Sequence, residues 1–248
     1  MRHHYSFALL SLAAFCFAAR GDNIIHAIQA EWPPYVIDNP QMPGLAVELV
    51  SRAFATQGYT LQLTIKPWNR ALKEAQYGRD QIVLAAWYSE QRTQNLAFSK
   101  PYLFSDIHLF ARRGYPAHYT SLNDFKGQRI GLVQNYAYDS SLMTDPELTL
   151  LPAETLLINL RKLQNGRIDL LAGERRVALW TMHANHIEPG SLIPLEPELS
   201  RTPVHIMVGK NNPKAGLYLD VFEKGMEAIR DNGEYATIMT KYESYSTP

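Results

Sequence analysis

The chain has 248 residues, 46% of them apolar, and its 24 Lys and Arg residues are matched by 24 Asp and Glu residues. A net charge of zero argues against a nucleic-acid partner, because binding to nucleic acid usually requires a basic excess. This length and apolar content suit one large domain or two smaller lobes.

The N-terminus is predicted to be a secretory signal peptide over residues 1–20. A short basic start precedes an apolar stretch over 5–19, which is too short to cross a membrane. A tethering N-terminal helix is the alternative. The only cysteine, Cys16, lies in this segment and follows Phe15, where a lipid anchor would need a small residue. We therefore expect an exported protein that has no disulfide or thiol chemistry after cleavage.

The first half of the chain predicts strands over 24–28, 61–65 and 82–86, with an amphipathic helix over 44–58. An apolar run over 107–111 then leads into a linker-like stretch at 112–116.

The second half predicts strands over 130–133, 168–172 and 204–210. Residues 216–243 have apolar side chains at helical spacing, with a break at Gly233.

Two segments, 72–87 and 160–174, resemble each other. Each contains Leu-x-x-x-Gln-x-Gly-Arg, in which a short helical stretch ends at a glycine, Gly78 or Gly166, and an apolar run follows. Apolar strands directly after helices indicate buried parallel strands in α/β layers. The repetition predicts two similar lobes.

Aromatic residues follow the predicted strands of the first half, at Trp32, Trp68 and Trp87. In α/β sheets, ligands bind outside the carboxyl ends of the strands. Ordinary packing at the sheet ends is the alternative for each tryptophan alone. Three at equivalent positions favour a lined pocket that offers flat faces to an apolar or cationic ligand.

Two charged residues occupy comparable positions in the similar segments, Arg92 after one strand and Glu174 after the other. A guanidinium and a carboxylate facing one cleft would suit a zwitterion. Residues 134–139 are also predicted to open a helix, whose free N–H groups favour an anion. Alternatively, Arg92 is a solvated residue at a helix start, and Glu174 pairs with Arg175 or Arg176.

Other chemistry finds little support in the sequence. His183 and His186 could share a helix face, but no third ligand of suitable spacing stands nearby, so we expect no metal site. No nucleophile elbow, phosphate loop or zinc-protease motif is present, and we expect no cofactor.

Six blocks carry a resemblance to a known family. In chain order they are EWPPYV, GLAVELV, YSEQRTQNLAFSKPY, SLNDFKGQRIGLVQNYAY, LQNGRIDLLAGE and DNGEYATIMTKY. With them, the chain resembles the periplasmic solute-binding proteins of the polar amino-acid class, extracellular solute-binding family 3, from residue 24 to about 243.

The resemblance implies an α/β, two-lobed periplasmic-binding-protein-like (type II) fold. Each lobe is a mostly parallel sheet flanked by helices, and two crossover segments join the lobes. We expect residues 21–107 and 207–248 in the first lobe and 108–206 in the second.

The resemblance also implies roles for individual residues. Arg92 matches the arginine that holds the ligand's α-carboxylate, and Trp32 stands where an aromatic packs on the ligand side chain. Tyr136 and Ala137 fall at a helix start whose backbone also meets the carboxylate, and Glu174 stands where an acidic residue takes the α-ammonium.

Three positions depart from the family pattern. Ala85, Trp87 and Tyr136 occur where relatives that bind polar amino acids often have small hydroxyl residues. The departure predicts a pocket that is more aromatic than is usual.

The leading hypothesis is a monomeric periplasmic protein that binds an amino acid or a similar carboxylate and feeds an ABC importer. One alternative is a dehydratase-like enzyme on the same fold, with Glu174, Glu90 or a histidine as the general acid or base. The sequence has no clear acid–base constellation, so we expect no catalysis. Another alternative is a ligand-sensing module that docks on a signalling receptor.

Overall fold

The fold is taken from a computed structural model, which describes residues 23–77 and 81–243. The predicted signal peptide over 1–20 and the predicted helix end at Gly78 lie outside these ranges. Within them, every helix is too short or too polar to cross a lipid bilayer.

The described strands form one mixed sheet, in which the order of the main strands is β2-β1-β3-β10-β5-β8-β6-β7. Two short strands lie off this path, since β4 pairs with β10 and β9 pairs with β5. The strands are β1 (Ile24–Gln29), β2 (Thr60–Ile65), β3 (Ile82–Trp87), β4 (Leu96–Phe98), β5 (Leu103–Arg112), β6 (Arg129–Val133), β7 (Thr149–Ala153), β8 (Leu170–Glu174), β9 (Leu192–Pro194) and β10 (Ser200–Gly209).

Helices connect most of the strands, and a short 3-10 helix (Leu122–Phe125) precedes β6. The α-helices are α1 (Leu45–Thr56), α2 (Trp68–Gln76), α3 (Glu90–Thr93), α4 (Ser140–Thr144), α5 (Leu156–Gln164), α6 (Arg175–Ala184), α7 (Ala215–Asp231) and α8 (Glu234–Glu243).

The sheet has two parallel regions, and these are the centres of two lobes. β1 is parallel to β2 and β3 in the first lobe, and β6 is parallel to β7 and β8 in the second. Between them run the long antiparallel strands β5 and β10. The first half of β5 pairs with β10 and its second half with β8, so these strands are the crossover segments.

The predicted α/β, two-lobed type II fold is therefore confirmed. The predicted lobe boundaries after residues 107 and 206 fall inside β5 and β10 and stay a prediction.

Burial explains why the apolar runs form these strands. All six residues of β3 and all five of β8 are buried, as expected for strands covered on both faces. The edge strand β2 alternates exposed and partly buried residues instead, because one of its faces meets water. The long C-terminal helical region breaks at Gly233 as predicted, between α7 and α8.

Two local predictions differ from the structure. The second-half strand begins at Leu170, so Glu174 is its last residue and not a residue beyond it. The stretch 134–139 does lead into a helix, but this helix begins at Ser140 and not at Tyr136 and Ala137, where the family resemblance implied a helix start. Asn135 adopts a left-handed backbone conformation (φ 60°), which a helix cannot include. Asp139 then caps the later helix α4 by accepting a hydrogen bond from the Ser141 N–H.

The first lobe depends on a close crossing of α1 and α7. A Cβ atom built at Gly225 of α7 would lie 2.1 Å from the carbonyl oxygen of Ala53 in α1. Only a glycine allows the two backbones to approach this closely. Gly216, near the start of the same helix, has no atom within 4 Å of such a Cβ.

We expect Gly225→Ala to lower the free energy of unfolding by on the order of 1–3 kcal/mol, because the helices must move apart. Urea unfolding of the purified protein measures the change. Gly216→Ala is the matched control and should change the value by less than about 1 kcal/mol. Equal effects of the two substitutions would show that the crossing does not limit stability.

Candidate functional site

A small cavity of about 30 Å³ lies where the ends of β1, β3 and β6 meet across the cleft. Seven of the eight predicted binding residues line it, and Glu174 does not. The lining consists of Gln29, Ala30, Glu31, Trp32, Trp68, Ala85, Ala86, Trp87, Arg92, Tyr136 and Ala137.

Arg92 is the central charged group of the cavity. It lies on α3 and is only 7% exposed, so the alternative that it is a solvated residue is wrong. Its Nη1 donates to the Trp87 carbonyl at 2.7 Å, and its Nη2 donates to the Asn135 carbonyl at 2.7 Å. Burial lowers the pKa of the Arg92 guanidinium to about 10. Among the described residues no carboxylate forms an ion pair with it.

Asn135 joins the two sides of the cleft from the turn after β6. Its carbonyl accepts the Arg92 hydrogen bond and a longer one, 3.4 Å, from the Trp68 indole N–H. Its side-chain amide donates to Asn69 at the start of α2. Asparagine tolerates the left-handed conformation that this turn requires. The sequence analysis predicted that the 134–139 stretch opens a helix, but it did not predict the hydrogen bonds of Asn135 across the cleft.

Aromatic rings form a continuous wall around the guanidinium. Trp87 makes edge contacts with Trp32 at 5.9 Å and with Tyr136 at 5.2 Å between ring centroids. Tyr136 also meets Trp68 at 6.4 Å, and Arg92 lies 5.2 Å from the Trp68 ring. One aromatic cluster thus contains Trp32, Trp68, Trp87 and Tyr136, as expected for a pocket that is more aromatic than is usual.

The indole N–H groups differ in their partners. The Trp87 Nε1–H donates to the Ser105 hydroxyl at 2.7 Å, and Ser105 belongs to crossover strand β5. The Trp32 side chain is buried, at 7% exposure, and its Nε1 has no acceptor among the described residues. A buried N–H without a partner is costly, so the binding of an acceptor at this group would be favourable.

Four lining residues escaped the sequence analysis: Gln29, Ala30, Glu31 and Ala86. Gln29 ends β1, and its amide exchanges two hydrogen bonds with the backbone of Ala85 in β3. Their positions could have identified them, because they lie next to the strand ends at which Trp32 and Trp87 were predicted to line a pocket. Glu31 is exposed at the edge of the cavity.

Glu174 lies outside the cavity lining and is 4% exposed. Its Oε1 accepts from the Tyr35 hydroxyl at 3.0 Å, and its Oε2 accepts from the Val177 N–H at 2.7 Å, which caps α6. Neither Arg175 nor Arg176 pairs with it in the described chain, so that alternative is wrong. Burial raises the pKa of the Glu174 carboxyl to about 7, although both hydrogen bonds favour the charged form. Its contact with a ligand ammonium stays a prediction.

Comparison with known proteins identifies the family. The model of the bacterial extracellular solute-binding proteins, family 3, matches residues 24–244. The chain belongs to this family. Among its relatives, "Putative ABC transporter arginine-binding protein 2" of Escherichia coli (strain K12) is 24% identical over 237 residues, 93% of this chain and 95% of that protein.

Solved structures of similar fold include two of different biological roles. One is a histidine kinase sensor domain with similarity to periplasmic binding proteins, with a TM-score of 0.76 and 22% identity over 90% of this chain and 96% of that one. Another is an ancestral arginine-binding protein bound to arginine, with a TM-score of 0.74 and 20% identity over 90% and 98% of the chains.

The raised pKa of Glu174 makes the stability of this solute-binding protein depend on pH. The folded protein holds this proton up to about pH 7, whereas the unfolded chain releases it near its ordinary pKa of 4.5. A rise of pH through that window should therefore lower the free energy of unfolding, by up to about 3 kcal/mol.

The test compares the wild type with Glu174→Gln, whose side chain does not titrate. Urea unfolding at a series of pH values should show the stability difference moving in favour of the variant between about pH 5 and about pH 8. Other titrating groups are common to both proteins and cancel in the difference. A difference that stays constant with pH would contradict the shifted pKa.

Proposed function

We propose that this protein is exported to the periplasm, where it binds a small carboxylate-bearing solute, an amino acid or a related compound, and delivers it to an ABC importer. The observation that carries the proposal is the buried guanidinium of Arg92, which lines the cavity and has no carboxylate partner in the described chain. The proposed protein is a monomer whose lobes comprise residues 21–107 with 207–248, and 108–206.

Electrostatics supports a carboxylate as the recognised group. Two backbone carbonyls offset only part of a buried positive charge. The binding of an anion beside Arg92 would therefore be strongly favourable. Each of these carbonyls belongs to a different side of the cleft, Trp87 to the first lobe and Asn135 to the second. A carboxylate on Arg92 would therefore bind where the two lobes meet, with Trp32, Trp68, Ala85, Tyr136 and Ala137 around it.

The relatives support an amino acid or a similar compound as the ligand. The Escherichia coli relative is named as an arginine-binding protein of an ABC transporter, and the ancestral protein of similar fold was solved with arginine bound. The aromatic wall of the cavity would pack against the ligand's side chain through flat apolar faces.

A sensor module is the second candidate, because a histidine kinase sensor domain shares the fold. Loss of ligand uptake in a strain without this protein would favour transport, whereas loss of a transcriptional response with normal uptake would favour sensing. The dehydratase alternative gains no support from the site. Glu90 is exposed and lies outside the lining, and Glu174 is held by Tyr35 and Val177.

The role of Arg92 can be tested once a thermal-shift screen of amino acids, amines and small carboxylates has found a ligand. We expect Arg92→Ala to weaken binding by about a hundredfold, since truncating one partner of a buried charge pair costs on the order of 2–5 kcal/mol. Titration calorimetry measures the affinity. Arg92→Lys should restore it only in part, because an ammonium cannot make the paired bonds of a guanidinium.

Arg161→Ala is the matched control, since Arg161 is exposed on α5 and lies outside the lining; its affinity should equal that of the wild type. If Arg92→Ala binds the ligand normally but melts early, Arg92 is a structural residue and the proposed site is wrong.

The aromatic wall gives an independent readout through intrinsic fluorescence. If the ligand binds in the cavity, its addition should change the tryptophan emission, and Trp32→Phe should reduce that change. Trp180, on α6, lies outside the lining, and Trp180→Phe should leave the change in place. The reverse pattern would place the ligand elsewhere.

A further inference from the structure

The ring of Tyr136 reaches across the cleft from one lobe to the other. Tyr136 lies in the turn after β6, in the second lobe, but its ring packs against the main apolar cluster, most of which belongs to the first lobe. It meets Trp87, the last residue of β3, at 5.2 Å and Trp68, the first residue of α2, at 6.4 Å between ring centroids. The ring therefore fills space that lies between the two lobes.

The Tyr136 hydroxyl lies within electrostatic range of both charged groups that were predicted to bind a ligand. Burial raises the pKa of this hydroxyl, the carboxylate of Glu174 raises it further, and the guanidinium of Arg92 lowers it. A zwitterion held by Arg92 and Glu174 would have to occupy the interval between the same two groups. The ring and the proposed ligand thus compete for one place.

The space that remains beside the ring is too small for a ligand. The cavity of about 30 Å³ has room for about two water molecules. Sites for small molecules usually measure about 300–1,000 Å³, and even glycine has more non-hydrogen atoms than two waters. An amino acid therefore cannot lie in the closed cleft while the ring keeps this position.

The Tyr136 ring has room to move out of the cleft. An open pocket of about 440 Å³ adjoins the cavity, and Arg92, Tyr136 and Ala137 line both, so these residues separate the two spaces. Within the described chain no hydrogen bond fixes the Tyr136 hydroxyl, whereas the Tyr138 hydroxyl is bound to the backbone of Val133 and Ala172. Contacts with other rings hold Tyr136 in place, and a rotation of the side chain can break them.

We infer that the Tyr136 ring is a built-in occupant of the ligand site, which has to swing toward the adjoining pocket before an amino acid can bind in the closed cleft. Tyr136 thus opposes binding and sets the affinity of the site. The swing leaves the backbone at Tyr136 and Ala137 in place, for which the family resemblance implies contact with the ligand's carboxylate. This inference rests on the proposed function and adds a residue that controls the same site.

The experiment measures amino-acid affinity after the ring is removed. Titration calorimetry on the purified wild type and on Tyr136→Ala uses glycine, L-histidine, L-arginine and L-phenylalanine, which differ widely in size. Each amino acid that binds should bind on the order of tenfold more tightly to Tyr136→Ala, because the ring contacts with Trp68 and Trp87 no longer have to be broken. Tyr136→Phe keeps the ring and removes only the hydroxyl, so it should show at most a small part of that rise.

Two further variants keep the test decisive. Tyr77→Ala is the matched control, since Tyr77 is 68% exposed and lies outside the linings of the cavity and the adjoining pocket; its affinity should equal that of the wild type. Tyr136→Leu retains an apolar side chain of intermediate size and should give an intermediate rise. It replaces Tyr136→Ala in the comparison if the melting temperature shows that the alanine variant does not fold.

The outcomes separate this inference from the proposed function. A rise in Tyr136→Ala without a comparable rise in Tyr136→Phe supports the inference, also where binding to the wild type is too weak to detect. A wild type that binds as tightly as Tyr136→Ala, or more tightly, overturns the inference and leaves the proposed function in place. Equal rises in both variants assign the effect to the hydroxyl and overturn the inference as well. If none of the proteins binds any of the amino acids, both the inference and the proposed amino-acid ligand are wrong.

Discussion

A positive charge that is taken out of water needs compensation, and at the centre of this cleft the charge is the guanidinium of Arg92. One of its hydrogen bonds reaches the Trp87 carbonyl in the first lobe and another reaches the Asn135 carbonyl in the second. The group that lacks an anion is thus also the group that joins the lobes. In the proposed mechanism, recognition of a carboxylate and closure of the cleft are one electrostatic event.

The sheet determines where that guanidinium can lie. Trp87 ends β3 and pairs with Val204 of crossover strand β10, while its indole N–H reaches Ser105 of crossover strand β5. The Ser105 hydroxyl in turn donates to the Thr202 carbonyl of β10. The residue that offers a carbonyl to Arg92 is therefore attached to both strands that connect the lobes. A change in the angle between the lobes would therefore move Trp87 and alter the shape of the cavity.

Much of this arrangement could be predicted from local pattern. The apolar runs of β3 and β8 are typical of strands covered on both faces. Residues at or just past the ends of parallel strands meet at one edge of a sheet, which places Trp87, the last residue of β3, near Trp32. What could not be predicted depends on one backbone conformation and one long-range hydrogen bond. Asn135 is left-handed, so the helix begins only at Ser140, and the Tyr35–Glu174 hydrogen bond joins residues 139 positions apart. Neither feature produces a periodic pattern of residues from which it could be predicted.

Glu174 shows why a list of residue types does not determine ligand chemistry. Its position at a strand end suggested a partner for an ammonium, but its two oxygens receive two donors that the fold would otherwise leave buried and unsatisfied. One is the Val177 N–H at the start of α6, which has no carbonyl partner within the helix, and the other is the Tyr35 hydroxyl. Each oxygen keeps a second lone pair, so a ligand donor that approached the carboxylate would share it with Tyr35 and Val177. The fold therefore limits what Glu174 can offer before any ligand arrives.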